Sequence, residues 1–303
     1  VQFVPEIAKR VKRLHVFQRS PGWTLPKVDT AFSPTELSLL RSMPVIHDLD
    51  RARIFGITEL LGYATQGHPW AERLVTLLAK RQLRRQVPDP ALRKRLTPDY
   101  PLGCKRVLLS NEWLPTLASP HVEVVTERID ALTPTGIRTA DGTERAVDTI
   151  IYGTGFTANE FLAPMRITGA GGRSLHERWT TGAEAYLGMS VSGFPNLYVL
   201  YGPNTNLASG SIIYMLECQQ RYIARMVGKL LTQGWRHVGV REEAQAAFVR
   251  EVAERTQQTT ISGNCQSWYK TADGRNTNNW IGLQREYAER TANPRLDDYL
   301  ITA

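Results

Sequence analysis

Apolar and polar positions follow two rhythms along this chain, one of helical period and one of strand period, and the switches between them outline its organisation. Val1, Val4, Ile7, Ala8 and Val11 recur at helical spacing, with Lys9, Arg10, Lys12 and Arg13 on the other face. That period predicts an amphipathic helix, and Pro5 falls in its first turn, where proline is tolerated. Residues 14–18 then read as a strand that ends at Arg19-Ser20-Pro21. From residue 33 to about 96 the strand signals vanish. Ser33-Pro34-Thr35-Glu36 has the form of a helix start, with a capping serine, a proline at the first helical position and a glutamate soon after. Leu37, Leu39, Leu40, Ile46 and Leu49 carry the apolar pattern on. A further helix is predicted over 70–86, with Leu74, Leu77, Leu78 and Leu83 inward. Lys80, Arg81, Arg84 and Arg85 at its end suit the negative pole of the helix dipole.

Strand patterns return at 107–110 and 122–126, and residues 129–147 read as a β-meander turning at Asp141-Gly142. The pivotal stretch is Asp148-Thr-Ile-Ile-Tyr-Gly-Thr-Gly-Phe156. Its apolar run at 149–152, closed by glycines, predicts a strand buried on both faces. Gly153, Thr154 and Gly155 would then turn the backbone sharply and bring it close to a ligand or to the core. Residues 197–201 read as another apolar strand, Gly202-Pro-Asn-Thr-Asn206 as the loop after it, and 209–231 and 242–255 as helices. The tail around Ser267-Trp-Tyr269 and residues 274–280 is polar and loop-like. Its aromatics either wall a pocket or anchor packing, and the residues alone do not separate the two.

Composition narrows the class. The 303 residues are enough for two domains with real cores, and no apolar run approaches a membrane span. The net charge is +8, but the basic residues are spread out and form no dense arm, which argues against nucleic-acid binding. Cys104, Cys218 and Cys265 are few, odd in number and far apart, which predicts a reducing cytoplasm and no disulfide framework. The six histidines show no metal-ligand spacing, so no metal is expected. The chain opens on Val1 inside a helix pattern, which reads as a fragment or a processed product.

The stretch 148–156 resembles the Asp-x-x-x-x-Ala/Gly-Thr-Gly-Phe signature of the class B flavin monooxygenases. Further matching pieces follow in order: Val1-Gln-Phe-Val-Pro-Glu-Ile-Ala8, Val16-Phe-Gln-Arg-Ser-Pro-Gly-Trp23, Tyr100-Pro-Leu-Gly-Cys-Lys-Arg106, Gly193-Phe-Pro-Asn-Leu197, Gly202-Pro-Asn-Thr-Asn206 and Ser267-Trp-Tyr269. Together they are most similar to the Baeyer–Villiger branch, of the 4-hydroxyacetophenone monooxygenase type. The resemblance implies an α/β fold with two dinucleotide-binding, Rossmann-like domains, here incomplete at the N-terminus. Residues 1–150 would be the NADP-binding domain, with a helical insertion at about 33–98. Residues 151–303 would be the C-terminal part of the FAD-binding domain. The glycine-rich phosphate loops that the family carries ahead of these parts are not among these residues.

The resemblance also implies roles. FAD and NADP would be the cofactors, and a ketone and O2 the other reactants, giving an ester or lactone through a C4a-peroxyflavin. Arg19 and Ser20, at the end of the second strand of a strand–helix–strand unit, stand where an NADP enzyme receives the 2′-phosphate. Read without the family, Arg19 is a surface arginine at a strand end. Alternation sends Lys105 and Arg106 in opposite directions. By resemblance Lys105 faces the 2′-phosphate, and Arg106, the catalytic arginine, faces the flavin and stabilises the anionic peroxide. Otherwise they are two cations flanking a strand. Gly153, Thr154, Gly155, Asn206 and Ser211 would contact cofactor, the last at a helix start whose unpaired N–H groups suit the negative end of a reduced flavin. Leu207, Ala208 and Trp268 would face substrate. Two alternatives stay open: an N- or S-oxygenating flavin monooxygenase, and a non-catalytic chain that lacks both phosphate loops.

Overall fold

The computed structural model describes residues 1–303 except 28, 30 and 263–266. In chain order the elements are α1 (Phe3–Ala8), β1 (Leu14–Phe17), β2 (Thr24–Leu25), α2 (Pro34–Ser42), α3 (Pro44–Thr65), α4 (Pro69–Gln86), α5 (Pro90–Arg95), β3 (Leu108–Leu109), α6 (Trp113–Leu117) and β4 (Val122–Val125). There follow β5 (Ile129–Thr133), β6 (Gly136–Thr139), β7 (Glu144–Ala146), α7 (Leu175–Arg178), α8 (Ile212–Thr232), β8 (His237–Val240), α9 (Glu242–Gln257), α10 (Gln284–Arg290) and β9 (Tyr299–Thr302). They form two compact units. One comprises Val1–Thr30, Leu74–Asp99 and Arg106–Phe156, and the other Ala31–Arg73, Tyr100–Lys105 and Thr157–Ala303.

In the first unit β1 pairs in parallel with β4, from Leu14 opposite Val122 to Phe17 opposite Val125, and β2 pairs in parallel with β3. Parallel pairing needs a connection long enough to carry the chain back to the starting end, and the helical segments between these strands supply it. The core gathers Val4 of α1, Leu83 and Val87 at the end of α4, Leu92 and Leu96, Trp113, Leu114 and Leu117 around α6, and Val124 of β4. β5, β6 and β7 form the expected antiparallel meander. At its turn Asp141 accepts hydrogen bonds from Thr139 Oγ1 at 2.6 Å and from the Thr143 N–H at 3.2 Å.

The core of the second unit is a stripe along α8, Met215, Cys218, Tyr222 and Met226, at the spacing of one helix face. It packs with Phe248 and Val252 of α9, Val238 and Val240 of β8, Tyr287 of α10 and Tyr299 of β9. β8 and β9 are antiparallel. α2 carries the full capping box foreseen at Ser33 and Glu36.

Three expectations fail. The run 149–152 is not a buried strand: it has no ladder partner among the described residues, and Ile150, Ile151, Tyr152 and Phe156 are all exposed, the last completely. A β-branched run becomes a strand only where its N–H and C=O groups find a neighbour, which the pattern alone does not guarantee. Residues 197–201 likewise make no strand, and Leu200 and Tyr201 are exposed. On α4, Leu83 is buried but Leu74, Leu77 and Leu78 face out, because the inward stripe runs through Ala71, Ala79, Gln82 and Leu83. Gln82 serves there as a polar anchor, its Nε2 donating to the Ser110 carbonyl at 2.9 Å. Of the cysteines, Cys218 is a buried free thiol, and Cys265 lies outside the described residues.

Candidate functional site

In the first unit the chain leaves β1 through Arg19 and Ser20. Arg19 is exposed and has no hydrogen bond or ion pair with the described residues. An exposed guanidinium just past the carboxyl end of a parallel strand is placed to receive an anion. Arg106 stands two residues ahead of β3, also exposed and also without a partner among the described residues. Gly153, Thr154 and Gly155 are exposed in coil. Gly155 has φ +100°, and no atom lies within 4 Å of where its Cβ would be. A side chain would therefore be strained and would point into open space, so the backbone here is free for close approach by a ligand. One other charged cluster of this unit is structural: Arg145 donates to Glu123 from Nε at 3.0 Å and from an η nitrogen at 2.7 Å, and His15 lies 2.8 Å from the other carboxylate oxygen. The Arg145 bonds, with a smaller part from His15, hold the Glu123 carboxyl below its ordinary range against the opposing effect of burial.

Lys105 belongs to the second unit, half-buried, with its ammonium 4.6 Å from the centre of the Tyr100 ring. The same unit holds the Asn206–Ser211 segment. Asn206, Leu207 and Ala208 run toward α8, whose N-cap is Ser211. Ser211 Oγ accepts the Tyr214 N–H at 3.2 Å, and the Ser211 N–H goes to Gln284 Oε1 at 2.7 Å. The N–H groups of Ile212 and Ile213 have no hydrogen bond among the described residues, and Ile213 is 70% exposed. Two forward-pointing amides on a 21-residue helix can take a carbonyl or an anionic oxygen.

Trp268 is joined to this segment through an asparagine network. Asn278 Nδ2 donates to the Trp268 carbonyl at 3.0 Å, and the Asn206 N–H donates to the Asn278 carbonyl at 3.0 Å. Asn206 Nδ2 donates to Asn279 Oδ1 at 2.5 Å, and Asn204 Nδ2 to the Asn276 carbonyl at 2.9 Å. The tail aromatics divide. Tyr269 and Trp280 are buried anchors, whereas Trp268 is 43% exposed. By sequence alone residues 274–280 are polar and loop-like. The density of asparagines at 276–279 was the signal that this run is a buried clamp. Gln284 and Glu59 were missed altogether, since nothing in a single sequence joins residues so far apart.

No family model matches the chain. Among curated proteins it is 40% identical to a Baeyer-Villiger monooxygenase of Streptomyces coelicolor, over 99% of this chain and 58% of that protein. It is 39% identical to a Baeyer-Villiger monooxygenase of Pseudomonas aeruginosa, over 93% of this chain and 54% of that one. To the FAD-binding monooxygenase ktnD of Aspergillus niger the identity is 37%, over 99% and 50%. The chain thus spans about half the length of the curated relatives it matches. Among solved structures, an oxidized steroid monooxygenase bound to NADP superposes with a TM-score of 0.82 at 23% identity, covering 100% of this chain and 64% of that one. The closed form of cyclohexanone monooxygenase gives 0.81 at 19% identity, over 100% and 65%. These likenesses show an α/β fold of the kind carried by those monooxygenases. Over nearly its whole length the chain is thus similar in sequence to about half of each of these Baeyer-Villiger and FAD-binding monooxygenases, and similar in fold to part of the solved ones.

Proposed function

We propose that this chain serves an FAD- and NADPH-dependent monooxygenase that converts a ketone to an ester or lactone. The observation that carries this reading is the 40% identity that runs over nearly the whole chain to a Baeyer-Villiger monooxygenase. The residues present fit the two cofactors: an open glycine turn at Gly155, and, among the described residues, two unpaired amides at the head of α8 and an unpaired arginine past β1. FAD, when bound, would accept a hydride from NADPH and pass its electrons to O2.

The chain's own groups would do the rest. Arg19, Ser20 and Lys105 bind the 2′-phosphate of NADP, the guanidinium by a fork of donors. Gly153, Thr154 and Gly155 let the backbone approach the flavin closely. Ser211 caps α8, and the Ile212 and Ile213 amides, with Asn206, would be the groups that hold the flavin there. Arg106 holds the developing negative charge of the oxygenating species, being a cation that stays charged at any working pH. Leu207, Ala208 and Trp268 shape the ketone site. Residues 1–150 form the NADP domain and 151–303 contribute to the FAD domain, in a protein that works in the cytoplasm, where both cofactors are supplied. Among the described residues no helix is long and apolar enough to cross a membrane. The test is to add FAD to the purified chain, record its visible spectrum, and follow NADPH oxidation and lactone formation from a cyclic ketone. A chain that stays colourless with excess FAD sinks the reading.

A further inference from the structure

The start of α8 is held by a residue that belongs to another element. In a capping box the third helical residue is a glutamate or glutamine that returns to the N-cap N–H. Here that position is Tyr214, which cannot do so. The acceptor is supplied by Gln284, 73 positions along the chain, whose Oε1 takes the Ser211 N–H at 2.7 Å. Gln284 is 1% exposed. Gly210 makes room for it: φ is +124°, and a Cβ there would lie 2.5 Å from the Gln284 amide carbon.

Gln284 is in turn held by α3. Its backbone N–H donates to Glu59 Oε1 at 2.8 Å, and its Nε2 to Thr58 Oγ1 at 3.2 Å and to Glu59 Oε1 at 3.4 Å. This arrangement decides which way the amide faces. A glutamine side chain can turn over and exchange its donor and acceptor ends. Glu59 Oε1 and Thr58 Oγ1 accept from the NH2 end, which keeps that end toward α3 and leaves the carbonyl for Ser211. Glu59 is otherwise an expensive residue at this position. It is buried, its Oε2 makes no hydrogen bond among the described residues, and Arg285 Nε approaches only to 4.0 Å. A buried carboxylate with one oxygen unsatisfied costs stability unless it performs a task. Further contacts dock α3 on the same end of α8. Ser209 Oγ donates to the Thr58 carbonyl at 3.0 Å, the Phe55 and Tyr214 rings meet edge to face at 5.3 Å, and Arg51 pairs with Glu217 at 3.2 Å.

We propose that Glu59, acting through Gln284, is a positioning residue for the head of α8, so that the docking of α3 sets how well the free amides of Ile212 and Ile213 receive the flavin. The ligand half of this inference rests on the flavoprotein reading above. The clamp half does not.

The experiment compares the 303-residue chain with Glu59→Ala, Glu59→Gln and Gln284→Leu by amide hydrogen exchange without cofactor and by FAD titration. Glu59→Ala and Gln284→Leu should each speed exchange of the Ser211 amide by about tenfold, the loss of one net hydrogen bond, while the far end of α8 keeps its protection. Glu59→Gln, which retains an acceptor, should restore most of it. FAD affinity should fall and recover in the same order. Unchanged Ser211 exchange in Glu59→Ala overturns the clamp, and so does an equal loss of protection all along α8 and α9, since that reports packing alone. Faster Ser211 exchange with unaltered FAD affinity overturns the positioning role. If the unmodified chain takes up no FAD, the flavin reading fails and the ligand half with it, whereas the exchange result still decides the clamp.

Discussion

Trp280 is where packing and the candidate site depend on one side chain, so Trp280→Ala makes the sharpest demand on this structure. The indole is 3% exposed. It stacks at 9° on Phe248, with ring centres 6.4 Å apart, and meets Tyr287 edge to face at 5.3 Å. Arg255 and Arg290 each bring a guanidinium carbon to 5.5 Å from its ring, and its N–H donates to the Leu283 carbonyl at 3.2 Å. Both arginines are held by acids, Arg255 by Glu286 and Arg290 by Glu251. Those partners would remain when the ring is gone, so the site cannot readily collapse onto the cavity. Truncation of a buried aromatic under such conditions costs about 3–5 kcal/mol. Trp280→Phe keeps most of the burial and loses the indole N–H bond, about 1 kcal/mol. Because the chain holds two units, a single melting curve would mix them. Hydrogen exchange of peptides from α8 and α9 under native conditions reads the second unit alone. Both helices should lose protection together in the alanine variant, several times more than in the phenylalanine variant. A cost below about 1 kcal/mol for Trp280→Ala would mean that the aromatic and arginine contacts around this ring are not the support described here.

Local signals were the most legible part of this sequence. The capping serine at 33, the Asp141-Gly142 turn and the extents of α4 and α9 depend on neighbours a few residues away, and all are present. Patterns whose outcome depends on distant partners were not legible. Ile150, Ile151 and Tyr152 carry the composition of a doubly buried strand, yet a parallel strand exists only between neighbours that may lie anywhere in the chain. Leucine spacing on α4 named the wrong face for the same reason: Ala71, Ala79 and Gln82 are buried while Leu74, Leu77 and Leu78 are exposed, and Gln82 finds its partner in the distant Ser110 carbonyl. At the candidate site, Arg19, Arg106 and the glycine turn were visible as residue types in a pattern. Glu59 and Gln284 were not, since a buried glutamate on an amphipathic helix looks like any solvated one until its partner, 225 positions away, is in place.

Three further predictions test charge directly. Glu123 has a folded-state pKa below its unfolded value because Arg145 and His15 bind its carboxylate. That stabilisation is present above about pH 4.3 and is lost as pH falls through the depressed value, so an acid titration followed by circular dichroism should show Glu123→Gln converging with the unmodified chain at low pH. A constant gap at every pH would contradict it. Arg19→Ala should weaken binding of NADPH by roughly ten- to a hundredfold while leaving NADH nearly unchanged, since a charged hydrogen bond of about 1.5–3 kcal/mol is removed from one ligand only. Equal losses for both nucleotides would remove Arg19 from the phosphate site. The last prediction concerns Arg106, which is exposed and unpaired among the described residues and so meets no competing carboxylate. A preorganised cation beside a developing oxyanion contributes about 3–4 kcal/mol, or two to three orders of magnitude in rate. Arg106→Ala should therefore still oxidise NADPH, with the electrons leaving as hydrogen peroxide instead of appearing in ester or lactone. Arg106→Lys should recover only part of the coupling, because an ammonium beside an apolar ring system loses charge more readily than a guanidinium. Measuring product and peroxide against NADPH consumed separates the two fates. Normal product yield per NADPH in the alanine variant would show that some other group holds the charge.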